Sequence, residues 1–219
     1  MSSSVEQVVL GVPEEDPVPE SGVHRGLVDM LAAWLEARFA DHGDVAVFAR
    51  LAWFPQLGDT SVRLDPDVMV VFGRPPGPRR SYKAWAEEDV VPAVLLEVWS
   101  EDDTEAGYAR RLSRARRYGV PEVVVIHPFA PGGVRVDHLR ADPSTADPFR
   151  TVASSFDPEH EVHVTTLGIH LAGGDELRVR DDAGVWQPTA DTVLQLRAER
   201  ARADRLAARL RAAGLDPGD

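Results

Sequence analysis

Two acidic residues stand where apolar segments of the sequence begin or end. Glu97 interrupts an otherwise apolar run, and Asp67 directly precedes another one. A buried charge without a partner is unfavourable, so Glu97 requires a metal ion, an arginine partner, or a position at a strand end or exposed sheet face. On neighbouring strands, Asp67 and Glu97 would offer two hard oxygen ligands, which Mg²⁺ accepts while it keeps several waters. Such an ion can activate water and stabilise the charge that develops on a phosphodiester.

Three valine-rich segments are predicted to be the strands that position these carboxylates. They span residues 68–72, 94–99 and 123–126. Segments that are apolar on both faces are typical of central strands covered by helices. Residues 45–54 alternate less regularly and are predicted to be an edge strand, whereas the proline-rich segment 73–89 is predicted to be a surface loop without regular structure. Asp67 could alternatively be an ordinary turn residue before a strand.

Two helices are predicted to cover the sheet. The first has apolar residues at spacings of three and four, with Ser21 as its N-cap and Gly43 as its end. Its apolar stripe consists of Val23, Leu27, Met30, Leu31, Trp34, Leu35 and Phe39. The second helix, residues 104–118, ends at Gly119 and links the second strand to the third, so a right-handed parallel crossover is expected. Residues 134–139 and 160–166 are predicted to be shorter antiparallel strands.

The 219 residues, 43% of them hydrophobic, suffice for one well-packed domain with an appendage. The predicted organisation is a flexible segment at 1–20, a domain at 21–190, a helix with heptad-like spacing at 191–213 and a tail at 214–219. Its seven-residue repeat is formed by Leu196, Ala203 and Leu210. Because two or three heptads are not stable alone, this coiled-coil-like helix either packs on its own domain or pairs with a second copy. Pairing would make the protein a homodimer.

The net charge of −12 repels a polyanion at long range, so contact with nucleic acid requires a local basic patch. Five arginines lie within the second predicted helix: Arg110, Arg111, Arg114, Arg116 and Arg117. They form either an ordinary solvated helix face or a surface for phosphates. Arg110, Arg114 and Arg117 are the candidate nucleic-acid-binding residues.

The sequence also excludes several classes of site. It contains no cysteine, so disulfides, thiolate zinc sites and cysteine nucleophiles are ruled out. No segment approaches the roughly 18 apolar residues of a membrane span, and the first 20 residues do not have the pattern of a secretion signal. A cytoplasmic protein without membrane association is therefore expected.

Three blocks of the sequence resemble the Uma2 family, described as putative restriction endonucleases within the PD-(D/E)XK superfamily. These blocks are RLDPDVMV at 63–70, PAVLLEVWS at 92–100 and YGVPEVVVIHP at 118–128. The resemblance extends to residues 19–35, where His24 precedes the first helix, and to the tail rich in Arg, Ala and Leu that ends with residues 214–217. It implies an α/β, restriction-endonuclease-like mixed sheet flanked by helices. It also implies a metal-dependent endonuclease that hydrolyses phosphodiester bonds of nucleic acid, with DNA as the expected substrate and Mg²⁺ or Mn²⁺ as cofactor.

The resemblance also assigns roles to residues of this chain. It implies that Asp67 is the metal-binding aspartate and Glu97 the acidic residue of the E-x-K element, with the main-chain carbonyl of Val98 as a third ligand. The usual superfamily pattern would place a lysine at Trp99, but in this family the lysine lies on the following helix. There the equivalent position is Arg111, which is thereby the third candidate catalytic residue beside Asp67 and Glu97.

Two positions on that helix depart from the family pattern. Gly107 stands where the family has an aspartate, and Arg111 stands where it has lysine, unless the helix register differs by one and Arg110 takes that place. A guanidinium stays charged at any relevant pH, so Arg111 could orient water or neutralise phosphate but not pass a proton. The alternative function is a catalytically impaired nuclease-fold protein. It would bind nucleic acid or a protein partner and dimerise through its C-terminal helix.

The remaining histidines and tyrosines are weaker candidates. His160 and His163 lie three apart in a predicted strand and therefore face opposite sides, so a shared zinc ion is not expected. His24 is expected to be a capping or surface residue. His127 stands where the family has an aspartate before proline. Tyr108 is expected in the helix core rather than in a base-stacking platform.

Overall fold

A six-stranded mixed sheet forms the centre of the computed structural model, which describes residues 22–142, 144, 149–184, 205 and 209. In chain order its helices and strands are α1 (Gly22–Arg38), β1 (Val45–Ala49), β2 (Trp53–Phe54), β3 (Val68–Phe72), β4 (Tyr82–Lys83), β5 (Val94–Val98), α2 (Glu105–Arg117), β6 (Glu122–Ala130), β7 (Gly133–Arg140), β8 (Arg150–Ser155), β9 (Val162–Val164), β10 (Ile169–Ala172) and β11 (Arg178–Asp181). A short 3₁₀ helix, Ala84–Ala86, follows β4.

The three valine-rich segments are central strands, as predicted. The order in the large sheet is β1-β3-β5-β6-β7-β8, which also makes β1 an edge strand as expected. The strands β5 and β6 are parallel and joined through α2, which confirms the predicted crossover, whereas β3 runs antiparallel to β5. The prediction for 123–126 was too short, because β6 extends over nine residues.

The helix α1 covers one face of this sheet. Val28, Leu31 and Leu35 are almost fully buried and pack with Val70 and Leu96 of the strands. Each such side chain contributes on the order of 1.5–3 kcal/mol when buried. The predicted stripe is wrong at one position, because Val23 remains 51% exposed. The helix also ends at Arg38, before the glycine that was expected to stop it.

The helix α2 covers the opposite face. Thr104 caps its N-terminus, with Oγ1 accepting a hydrogen bond of 3.1 Å from the Gly107 N–H. Leu112 and Ala115 pack against the strands, and Gly119 follows the helix with φ of +89°, a conformation that favours glycine. The predicted start and end of this helix are therefore confirmed.

The proline-rich segment is more ordered than predicted. Its first part has no regular structure, but Tyr82 then begins β4, which pairs in parallel with β2. Tyr82 is fully buried, and its hydroxyl donates a hydrogen bond of 2.8 Å to the Val90 carbonyl. The aromatic anchor explains the difference, because a buried tyrosine requires ordered backbone around it.

A second sheet of three antiparallel strands has the order β11-β10-β9. The predicted strands at 134–139 and 160–166 correspond to β7 and β9, although β9 is shorter. In the large sheet, the register between β7 and β8 shifts between His138 and Leu139, which marks a bulge or irregularity. No described helix is long and apolar enough to cross a membrane.

The predicted flexible segment 1–20, the heptad-like helix 191–213 and the tail lie outside the described residues, apart from residues 205 and 209. The coiled-coil-like helix and the homodimer that it would support therefore stay predictions.

Candidate active site

Asp67 and Glu97 lie side by side at one edge of the sheet. The antiparallel register of β3 and β5 pairs Val68 with Leu96, so the residue before Val68 is next to the residue after Leu96. Residues opposite each other on antiparallel strands share a face, which here is the face covered by α2. Asp67 is further fixed because its Oδ2 accepts a hydrogen bond of 2.8 Å from the Val98 N–H. The strands thus hold both carboxylates close together.

His24 joins this edge from α1. Its Nε2 lies 3.3 Å from Asp67 Oδ2, and its side chain is only 8% exposed. The expectation of a capping or surface residue is therefore wrong. This contact was hard to predict from the sequence. His24 in the first turn of α1 reaches Asp67 only when elements that are distant in the chain pack together.

Arg111 faces the carboxylates, and Asp103 holds it there. Arg111 Nη1 donates a hydrogen bond of 2.7 Å to Asp103 Oδ1, while Asp103 Oδ2 accepts one of 3.0 Å from the Ser100 N–H. Arg110, the alternative considered for this place, is exposed on the helix surface. Asp103 was missed from the sequence, although a carboxylate just before a helix N-cap on the loop after Glu97 was an available signal.

A cavity of about 210 Å³ opens between the sheet and α2. Glu97 and Arg111 line it together with Asp65, Tyr108 and Arg114. The remaining wall is largely apolar and includes Leu95, Leu112 and Val123. A cleft of this kind can surround a small charged group with polar side chains on one side and exclude water on the other.

The positive charge near Glu97 does not compensate for the burial of its carboxylate and the negative charges around it. Burial raises the pKa of Glu97 well above its usual value, and the nearby charge of Asp67 raises this pKa further, while Arg111 acts in the opposite direction. The Glu97 side chain is half-buried, so solvent still reaches part of it. Burial also acts to raise the pKa of Asp103, but the hydrogen bonds from Arg111 and the Ser100 N–H outweigh it, and this pKa is lowered. A proton or a cation near Glu97 would relieve the repulsion.

Tyr108, which lines the cavity, belongs to a cluster of three aromatic rings. Trp99 packs edge-on against Tyr108, with 5.1 Å between ring centroids. The His127 ring packs against the Trp99 ring, with 5.4 Å between the centroids. Its Nε2 lies 3.0 Å from Asp137 Oδ2. As expected, Tyr108 packs against the core beneath α2, and its partly exposed side also lines the cavity.

The outer face of α2 carries the three arginines proposed to contact nucleic acid. Arg110, Arg114 and Arg117 are exposed, and their spacing of four and three places them on one side of the helix. Gly107 lies in the first turn of the same helix. A Cβ atom there would approach Thr104 Oγ1 at 3.1 Å, so an aspartate at this position requires a small shift of the cap.

A family model described as "Uma2: Putative restriction endonuclease" matches residues 7–170, about three quarters of the chain. The chain belongs to the Uma2 family. All residues of the candidate site lie within the matched range. The Uma2 resemblance drawn from the sequence blocks is thereby confirmed.

Solved structures support the fold of this Uma2 protein. Four solved chains match it. One is the crystal structure of a "putative nuclease belonging to DUF820" from Anabaena variabilis, with a TM-score of 0.50 and 16% identity. The match covers 69% of this chain and 76% of the other chain. At this identity the likeness concerns the fold, and the expected nuclease-like mixed sheet flanked by helices is confirmed. No curated protein matches the chain.

Proposed function

We propose that this Uma2 protein is a metal-dependent endonuclease that hydrolyses phosphodiester bonds of nucleic acid, with DNA as substrate. The observation that carries the proposal is the position of Asp67 and Glu97, side by side on adjacent strands, with Glu97 and Arg111 lining one cavity. The family description and the nuclease fold favour the same class of reaction.

The residues at this edge fit a divalent cation. Asp67, Glu97 and the Val98 carbonyl would hold it, and water would complete the shell, as Mg²⁺ or Mn²⁺ requires. The raised pKa of Glu97 supports the fit, because a cation supplies the positive charge that this carboxylate lacks. When bound, the ion would supply the Lewis acidity that activates water and neutralises the phosphate.

The neighbouring side chains act by orienting groups. The Val98 N–H and His24 both contact Oδ2 of Asp67, which fixes the direction of that carboxylate. Asp103 fixes the Arg111 guanidinium, whose permanent charge can steady a phosphate at the cavity but cannot transfer a proton. Gly107 replaces the aspartate of the family pattern. In this arrangement Asp103, paired with Arg111, supplies a carboxylate on the α2 side of the site instead.

The arginines on the outer face of α2 would bind the flanking nucleic acid. They form a positive surface next to the cavity, and Arg114 belongs to both. Since the whole chain has a net charge of −12, binding would depend on these few contacts and weaken as salt increases.

The direct test is cleavage by the purified full chain of single-stranded DNA, double-stranded DNA and RNA with Mg²⁺ or Mn²⁺. We expect product with one of these metals and none with EDTA. Asp67→Asn and Glu97→Gln should each lower the rate by on the order of 10³-fold, since losing the ion removes several kcal/mol of transition-state stabilisation. Asp41→Asn is the matched control, because Asp41 is exposed beyond the opposite end of α1 from His24. Intact substrates under all conditions, or full activity of Asp67→Asn, would contradict the proposal.

A second candidate function is a catalytically impaired relative that binds nucleic acid or a protein partner. The observation that favours it is the pairing of Arg111 with Asp103, because a charged guanidinium replaces a lysine that could handle protons. This function predicts salt-sensitive binding that EDTA does not change, without cleavage. Its homodimer depends on residues 191–213, which lie almost entirely outside the described structure.

A further inference from the structure

A cluster of two histidines and one carboxylate lies on the three-stranded sheet. His163 of β9 and His170 of β10 are direct cross-strand partners. Asp182, just after β11, brings its Oδ1 to 3.2 Å from Nε2 of both histidines. Ligand atoms of the three residues all lie within 4.8 Å of one another, and among the described residues no other group of three His, Asp or Glu side chains does so.

The two imidazoles bring their Nε2 atoms to the same carboxylate oxygen, that of Asp182. Their rings stack in parallel, with centroids 4.1 Å apart and planes only 2° from parallel. Direct cross-strand partners share one face of a sheet, so both Nε2 atoms point to the same side. Zinc binds imidazole nitrogen at about 2.0–2.1 Å and carboxylate oxygen at about 2.0–2.2 Å. Because the lone pairs of stacked parallel rings lie in separate planes, an ion that binds both Nε2 atoms at these lengths requires the two rings to rotate until their planes converge.

A fourth residue orients one of the histidines. His170 Nδ1 lies 3.2 Å from Oε2 of Glu161, and Arg180 Nε donates a hydrogen bond of 2.8 Å to Oε1 of the same carboxylate. When Nδ1 donates its proton to Glu161, the lone pair of His170 is on Nε2, facing Asp182 and His163. A carboxylate that fixes a histidine in this way is the common arrangement behind metal-binding imidazoles.

We propose that His163 Nε2, His170 Nε2 and Asp182 Oδ1 form a binding site for Zn²⁺ or a similar transition-metal ion, with Glu161 as the positioning residue for His170. Imidazole ligands select such ions over Mg²⁺, so this site differs in chemistry from the Asp67 and Glu97 pair. Three protein ligands leave a fourth position for water or another ligand. His163 and Asp182 are exposed, which gives the ion access from solvent.

The site is independent of the proposed nuclease function. It involves strands β9 and β10 and the end of β11, and it would hold them together. Asp182 lies beyond residue 170, the end of the range that matches the family. The sequence could not reveal the site, because the spacing of seven between the histidines has no meaning until β9 and β10 pair in this register.

The test is calorimetric titration of the chelator-treated full chain with Zn²⁺, repeated with Co²⁺ to follow its visible absorption. The Asp67→Asn/Glu97→Gln double variant serves as the parent, so that the other candidate site does not contribute. We expect one ion per chain. His163→Ala and Asp182→Asn should each weaken binding by more than about 100-fold, and Glu161→Gln by roughly 10–100-fold, the usual effect of losing an orienting partner. His160→Ala is the matched control, because His160 is exposed and pairs with Asp157 instead.

X-ray absorption at the zinc edge of the parent protein gives a second readout that does not depend on how variants fold. Two imidazole ligands and one carboxylate would support the site. A cluster that is only an ion-pair network, with protonated His170 between Glu161 and Asp182, would show no stoichiometric binding. That result, or equal affinity in His163→Ala and His160→Ala, would overturn the proposal.

Discussion

The parallel strands β5 and β6 have one carboxylate near each end of the pair, and the surroundings of these two carboxylates are opposite in charge. Glu122 is the partner of Val94 at one end, and Glu97 is the partner of Val125 three residues further along. This separation is about 10 Å. Glu122 is surrounded by Arg140, whose Nε lies 2.5 Å away, and by His138 at 3.6 Å, whereas the strands place Asp67 beside Glu97.

The pKa values reflect this difference. Burial acts to raise the pKa of Glu122, but the neighbouring His138, Thr166 and Arg140, of which Arg140 donates a hydrogen bond, lower it to about 2. For Glu97, burial and the charge of Asp67 act in the same direction, and the pKa is raised. A carboxylate neutralised by its own protein stabilises the fold, while one left in excess is suited to a cation from outside.

The largest expected effect concerns the arginine at the Glu97 end. Arg111→Ala should lower the cleavage rate by about 100-fold or more, since removal of one positioned charge from a phosphoryl site typically has an effect of this size. The rate is measured at saturating metal, where a loss of ion binding is excluded. Arg178→Ala is the control, because it removes the same charge from an exposed position on β11 that belongs neither to the cavity nor to the outer face of α2. Equal rates for the two variants would remove Arg111 from the site.

At the other end, Glu122→Gln should destabilise the protein by roughly 1–3 kcal/mol at pH 7, because Arg140 loses its charged acceptor. The pKa of Glu122 is lower in the folded chain than its ordinary value of 4.5, so its contribution is complete above that pH. It is lost as the pH falls towards about 2. Urea unfolding between these pH values measures the change, with exposed Glu159→Gln as the control. An unchanged free energy of unfolding in Glu122→Gln would show that the neighbours of Glu122, like those of Glu97, do not stabilise its charge.

In the presence of EDTA, Glu97→Gln should raise the free energy of unfolding, which is the opposite of the effect expected for Glu122→Gln. A folded pKa above the ordinary value of 4.5 means that the folded chain binds the proton more tightly. The wild type therefore loses stability as pH rises from about 4.5 through the folded pKa, and the variant does not. A gain of about 1 kcal/mol would raise the melting temperature by roughly 2–4 °C at pH 8.

The matched control is Glu101→Gln at an exposed position of the following loop. Mg²⁺ should reverse the order by stabilising only the wild type. A lower melting temperature of Glu97→Gln in EDTA at pH 8 would show that the carboxylates at this end are balanced without an ion.

The smallest effect concerns the outer face of α2. Arg114→Ala should reduce the slope of log affinity against log salt by about 0.9, the value for one phosphate contact. Binding of labelled duplex DNA in EDTA at several salt concentrations gives this slope. Arg178→Ala on β11 removes an exposed arginine from the small sheet and should leave the slope unchanged. An equal decrease in both variants would mean that binding follows net charge rather than a defined surface.

Local pattern was sufficient for much of the fold. The apolar runs at β3 and β5 and the caps of α2 carry their structure in neighbouring residues, so they were predictable. The short strand β4 was not, because its order depends on Tyr82 reaching Val90 through tertiary packing.

The candidate site divides in the same way. The sequence singled out Asp67 and Glu97 because a charge beside an apolar run is visible locally. His24 and Asp103 contact the site only after α1 and the loop before α2 have packed. The pairing of His163 with His170 depends on strand register, which residue spacing alone does not specify.

The register shift between β7 and β8 bears on how the molecule avoids self-association. Among the residues that the structure describes, β8 is the last strand of the large sheet, and an edge of this kind offers unpaired backbone groups to other chains. A bulge next to it increases the local twist and makes the edge a poor template for another strand. The exposed charge of Arg150 at the start of β8 acts in the same direction. The interrupted pairing thus makes this edge less suited to strand addition by a second chain.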